Sequence, residues 1–220
     1  MAGNVFIFVF VAIALLAALT YAISNGSDES TSASDKLVRD DQISRLFALA
    51  TAAGGALQQM VVAGGANAST LYSDLSLVKP DEAGFDTSPH SLKLYHPYGG
   101  GLTYQEATGP TDDESTVATD INIVPGAIIK SVGETDVTVG DIVFTAQVTS
   151  QAACKRINLK ARGNETMPTM ADVTYTALFV TGATTTVANA QCANCVGVAE
   201  ACVENVSGNA WGYYRVLFPG

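Results

Sequence analysis

Nineteen consecutive uncharged residues, "VFIFVFVAIALLAALTYAI" from Val5 to Ile23, constrain this chain more than any other stretch. At about 1.5 Å per residue a helix of that length spans roughly 28 Å, close to the ~30 Å hydrocarbon core of a bilayer. Its only polar side-chain atoms belong to Thr20 and Tyr21, near the far end, where an aromatic suits a membrane interface. A secretory signal has a basic start and an apolar core of roughly 7–15 residues. Here only Met1-Ala2-Gly3-Asn4 precedes the run, without Lys or Arg, and the run is longer. A retained apolar helix over residues 1–23 is therefore expected, serving a membrane, a protein bundle or both.

The rest of the chain is long enough for a domain with its own core: about 185 of the 220 residues lie beyond position 35. The net charge of the whole chain is −10, which repels phosphate backbones and argues against a nucleic-acid partner. The four cysteines, Cys154, Cys192, Cys195 and Cys202, all fall in the final third, a clustering that suits disulfides made in an oxidising compartment. Charges flanking the apolar run nearly cancel, so the cysteines set the expected orientation: short N-terminus inside, large domain outside.

Residues 24–34, "SNGSDESTSAS", read as a polar hinge. Ser34 and Asp35 can open a second helix. Beyond them Ile43, Leu46, Phe47, Ala50, Ala53, Leu57, Met60 and Val61 recur at three- and four-residue steps, one apolar stripe ended by Gly64-Gly65. Residues 66–116 are rich in Gly, Pro and Asp and read as a long irregular connection. Asp81, Glu82, Asp86, His90 and His96, and separately Asp112-Asp113-Glu114, are the residue types that ligate metals. The histidines lack a third ligand at zinc-like spacing, and the carboxylates do not follow an EF-hand loop. Solvated surface loops are the expectation, with no metal and no cofactor.

From Ile121 the pattern turns to strands. "INIVPGAIIKSVG", "VTVGDIVFTAQVT" and "VTYTALFVTGATTTVA" are rich in β-branched and aromatic residues and broken by Gly or Pro. "SQAACKRINLKA" predicts a helical turn carrying Cys154, and Ser207-Gly208-Asn209 a hairpin turn before a last strand "WGYYRVLF". Cys192-Ala193-Asn194-Cys195 is a CxxC. It lacks the βαβ setting of a redox motif, and two further cysteines can partner it, so structural disulfides are expected, with three pairings open. No Ser/His/Asp arrangement or nucleotide-binding glycine loop is present, and no catalytic residue is assigned.

Apolar N-terminal helix, amphipathic continuation, variable loop, sheet, short Cys-bearing helix in "QAACKRIN" and closing "YYRVLF": this order resembles the type IV pilins and pilin-like proteins, the type IVb branch, pseudopilins and minor pilins among them. The resemblance implies an α+β, pilin-like fold, in which the apolar helix leads through a hinge to an amphipathic helix packed on an antiparallel β-sheet, residues 35–220 forming the extracytoplasmic domain. It implies a leader cut between Gly3 and Asn4, and it places Phe8 where family members usually carry a Glu. Val5, Phe6, Phe8, Phe10, Ala14, Ala17, Ala18 and Tyr21 would line the membrane and then the filament core. The implied partners are copies of the chain, other pilin-like subunits, an inner-membrane assembly machinery and, before assembly, the lipid bilayer. The implied location is a single-pass inner-membrane protein that passes into an extracellular filament. The competing expectation is an anchored extracytoplasmic binding domain that never polymerises; a thiol-redox enzyme built on the CxxC is the third class.

Overall fold

The computed structural model describes residues 39–104, 118–133 and 140–220. The apolar run 5–23, the hinge 24–34, the candidate cleavage site at Gly3 and Asn4, and Asp112-Asp113-Glu114 lie outside the described residues. Gln42–Gly220 is one compact unit.

The first described helix, α1, covers residues 39–62. Its stripe follows the sequence period: Ile43, Ala50, Leu57 and Met60 are fully buried, and Leu46, Ala53 and Ala56 nearly so. The helix stops because Gly65 takes a left-handed φ of 67° that a residue with a Cβ resists, and Ala66 N–H turns back to the Met60 carbonyl at 3.2 Å. A short helix, α2 (Ala68–Asp74), follows where an irregular segment was expected. Its start is a reciprocal cap: Asn67 Oδ1 accepts from Thr70 N–H at 2.9 Å while Thr70 Oγ1 accepts from Asn67 N–H at 3.1 Å. The signal was present in "NAST" but is easily passed over among Gly and Ser.

Six strands form one sheet: β1 (Ala118–Ile129), β2 (Asp141–Val148), β3 (Thr169–Met170), β4 (Thr186–Val187), β5 (Glu200–Asn205) and β6 (Trp211–Phe218), in the spatial order β3-β5-β6-β2-β1-β4. The central pairs β1·β2, β2·β6 and β5·β6 are antiparallel, the last joined by the hairpin around Gly208. The outer pairs are parallel: β3 with β5, and β4 with β1.

These observations correct the expected fold class. The sheet is mixed, not antiparallel. Among the described residues no helix is long and apolar enough to cross a membrane, and the segment expected to supply one lies outside them. The pilin-like arrangement of apolar helix, hinge and amphipathic helix on an antiparallel sheet is thus not what the structure displays.

The sheet is covered on both faces, which explains why β2 is buried at successive positions from Asp141 to Ala146 rather than at alternate ones. Along β2, Ile142, Phe144, Ala146 and Val148 share a core with the α1 stripe, while Val143 faces a second core. On β6, Tyr213 and Leu217 belong to the first core and Tyr214 to the second. Phe47 of α1 meets Tyr213 with ring centroids 5.6 Å apart.

Helix α3 (Gln151–Arg162) adds Ala153, Cys154 and Ile157 to the first core. It is longer than the expected turn because both ends are well made. Ser150 Oγ accepts from Ala153 N–H, Lys160 and Arg162 occupy the last turn, and Gly163 at φ 74° closes it.

The segment expected as a strand over residues 173–188 is instead helical through its first half, residues 173–180. Asp172–Tyr175 forms α4, continued by a π-helical turn at Thr176–Val180, and only Thr186–Val187 is extended. Tyr175, Leu178 and Phe179, at steps of three and four, turn into the second core, where the Tyr175 and Phe179 rings lie 4.8 Å apart. The helical period was hidden under β-branched residues, and burial against the sheet overrode their propensity.

Candidate functional site

The segment from Leu75 to Tyr104 has no regular secondary structure beyond a single bridge, Ser76 to Lys93, yet it holds a definite shape. Lys93 is the reason. Only 5% exposed, its ammonium donates to the carbonyls of Gly84, Phe85 and Thr87, so one buried cation gathers a turn that has no ladder of its own. Gly99 lets the chain cross over itself here, since a Cβ would collide with the Lys93 and His90 carbonyls.

Inside this segment the rings of His90 and His96 are stacked, centroids 4.2 Å apart and planes 10° from parallel, with Phe85 5.0 Å from His96. His96 Nδ1 accepts from Tyr98 N–H at 3.2 Å. Burial first, then the charges of His90 and Lys93, lower the pKa of His96; Asp86 acts in the opposite direction. The two histidines are therefore part of a packed cluster, correcting the expectation of a solvated loop. Glu82 accepts from Lys79 N–H at 3.0 Å, an ordinary turn contact. Among the described residues no group of three His, Cys, Asp or Glu side chains is placed to hold a metal ion.

The cysteines pair as Cys154–Cys202 and Cys192–Cys195, resolving the three open connectivities. Cys154 and Cys202 lie in the first core, tying α3 to β5. The CxxC spans a short 3-10 turn, Ala193–Cys195, and both its sulfurs sit in the second core with residues 1% and 0% exposed. Thiol exchange needs an accessible sulfur, which this burial denies.

The same irregular segment walls a cavity of about 280 Å³ against α1 and the start of β1. Its floor is apolar, made by Ala53, Ile123 and Phe144, all nearly inaccessible, with Leu49 beside them. Tyr95 and Tyr104 form a wall, ring centroids 5.2 Å apart and edge to face at 81°. Lys79 Nζ lies 5.2 Å from the centre of the Tyr104 ring, within cation–π range.

The opposite rim is Asp120 and Asn122, both exposed, and a break in the strand sets them there. Against β2, Thr119 pairs with Gln147 but Asn122 with Thr145, so β1 carries one extra residue here, Asp120 and Ile121 standing against Ala146 alone. Asp120 takes φ 46°, a left-handed conformation uncommon outside Gly, and Asn122 Nδ2 donates to its carbonyl at 3.3 Å. Tyr104, by hydrogen bond and then by charge, raises the pKa of Lys79, with Glu82 and Asp81 adding to it and burial opposing. Burial, and secondarily Tyr104, raises that of Tyr95.

No family model, curated protein or solved structure matches this chain.

What the site can do must therefore be read from its own geometry. The cavity is not legible in the sequence because its lining residues come from four regions up to 95 positions apart, Leu49 to Phe144. Only the tyrosines and lysine of "LYSDLSLVKP" and "KLYHPYGGGLTY" hinted that the irregular segment was more than a spacer.

Proposed function

We propose that this chain is a structural subunit of a pilus-like filament, anchored in a membrane through Val5–Ile23 before assembly and packed through that same segment afterwards. The observation that carries the reading is the joining of a 19-residue apolar run to a compact unit stapled by two buried disulfides. The run fits a bilayer or a bundle, and the disulfides fit an oxidising exterior. Small residues within the run, Ala14, Ala17 and Ala18 among them, allow close approach of neighbouring helices. Partners in this reading are copies of the chain, related subunits and the membrane machinery that assembles them, and no catalytic role is assigned.

The test separates anchoring from assembly. Ala14→Leu and Ala17→Leu keep the run hydrophobic, so membrane insertion should persist. In a packed bundle they overfill the contact at about 1–3 kcal/mol per subunit, and filament yield in sheared material viewed by electron microscopy should fall. A wild-type chain that forms no filaments beside its native neighbours defeats the proposal. The alternative then stands: an anchored extracytoplasmic binding domain, which the cavity beside Tyr95 and Tyr104 favours.

A further inference from the structure

We infer that the cavity between α1, the irregular segment and the bulged start of β1 is a binding site for a single sugar ring. This goes beyond the filament reading and does not depend on it, since only residues of the compact unit take part.

Size sets the first limit. At about 280 Å³ the cavity lies just under the ~300 Å³ at which drug-sized ligand sites begin, room for one ring rather than a chain of them. Chemistry sets the second. A pyranose presents an apolar C–H face and a belt of hydroxyls, each of which donates and accepts. The cavity is divided in the same way, with apolar floor and tyrosine wall on one side. On the opposite rim are a carboxylate that only accepts and a carboxamide that does both, and over the tyrosine wall lies an ammonium that only donates.

Other ligand classes fit less well. A phosphate would meet the Asp120 carboxylate on the rim. A planar base would want parallel aromatic plates, and the two tyrosines stand at 81° to each other. A wholly apolar ligand would strip water from Lys79, Asp120 and Asn122 without replacing it.

The site is also preorganised. Lys79 is held over the Tyr104 ring, Tyr104 against Tyr95, and Asn122 is tied to the Asp120 carbonyl. Asp120 itself is in a left-handed conformation within an irregularity of β1. Bulges and such conformations recur where a side chain has to be re-aimed at a ligand.

The experiment is saturation-transfer NMR on the full chain in phosphocholine micelles, a detergent without sugar headgroups. The probes are D-glucose, D-galactose, D-mannose and N-acetyl-D-glucosamine, each free and as its methyl glycoside. Transfer to at least one sugar is expected, with a dissociation constant of about 0.1–10 mM, the modest affinity one ring can supply. Tyr104→Ala and Lys79→Ala should each weaken it about tenfold or more. Tyr98→Ala, which removes an exposed ring outside the lining, should leave it unchanged. The Lys79 side chain is 43% exposed, so its replacement tests the site even if the tyrosine variant misfolds. Equal binding of methyl glycosides identifies the end of a glycan as the ligand, whereas binding of free sugars alone identifies a monosaccharide. Absence of transfer to every probe, or transfer undiminished in both variants, overturns the inference.

Discussion

The side chain of Asn158 closes both hydrogen bonds of Cys202: Oδ1 accepts from the Cys202 N–H at 2.8 Å and Nδ2 donates to its carbonyl at 2.7 Å. A helix residue thus does for one position of β5 what a neighbouring strand would do, and it does so fully buried, beside the Cys154–Cys202 bond. Nδ2 also donates to the Thr166 carbonyl at 3.1 Å. Asn158→Ala leaves those backbone groups buried without partners, and a loss of about 2–4 kcal/mol is expected. Asn158→Asp should cost a similar amount, because its carboxylate would face the Cys202 carbonyl. Denaturant unfolding of each variant measures the loss; a change below about 0.5 kcal/mol for both would show that water replaces the carboxamide.

The two disulfides should contribute unequally. Cys154–Cys202 closes a separation of 48 residues and Cys192–Cys195 one of 3. Chain entropy alone then assigns about 4 kcal/mol to the first and about 1.5 kcal/mol to the second. Paired Cys→Ala replacements, compared by thermal unfolding, should preserve that order. In the native wild type, alkylation without reductant should label none of the four, and labelling of Cys192 and Cys195 would revive a redox role.

Acid should loosen the 75–104 segment. The pKa of His96 is held below its ordinary value by burial, with His90 and Lys93 adding to the effect and Asp86 opposing it. Between that lowered value and about 6.5 the unfolded chain binds the proton more readily than the fold does. The stability tied to neutral His96 is complete above about pH 6.5 and drains away as pH falls through and below it. The unfolding midpoint should drop between about pH 7.5 and pH 5, and His96→Phe should flatten the part of that drop due to this ring.

Gly212 marks how tightly the second face of the sheet is covered. A Cβ there would come within 2.7 Å of the Phe179 ring, which the π-helical turn presses onto β6. Gly212→Ala should cost about 1–3 kcal/mol, and Phe179→Leu in the same chain should recover part of it. Additive losses in a double-mutant cycle would show that the two positions do not share the contact.

What was legible in the sequence was local and periodic. The α1 stripe, β2, and the hairpin of β5 and β6 around Gly208 follow from spacing and turn chemistry. The 173–188 segment failed because Val, Thr and Phe suggest a strand, while Tyr175, Leu178 and Phe179 sit at helical steps that the second core selects. The parallel edge pairs are two residues long each, Thr169–Met170 and Thr186–Val187, too short to leave a pattern. The cavity was invisible because nothing in the spacing of Lys79 and Tyr104 says that a buried Lys93 shapes the segment between them, or that Asp120 of β1 faces it.

Among the described residues, the Cys154–Cys202 bond encloses the cover of the second face, α4, the π turn and the smaller disulfide, together with the edge strands β3 and β4. Topologically that cover is a closed ring. A protease that cuts it once, between Gly163 and Glu200, opens the ring without releasing a piece, since both new ends remain covalently joined through sulfur. Such a chain tolerates damage on its outside: nicked molecules would run as one species on a non-reducing gel and separate only when the bond is reduced.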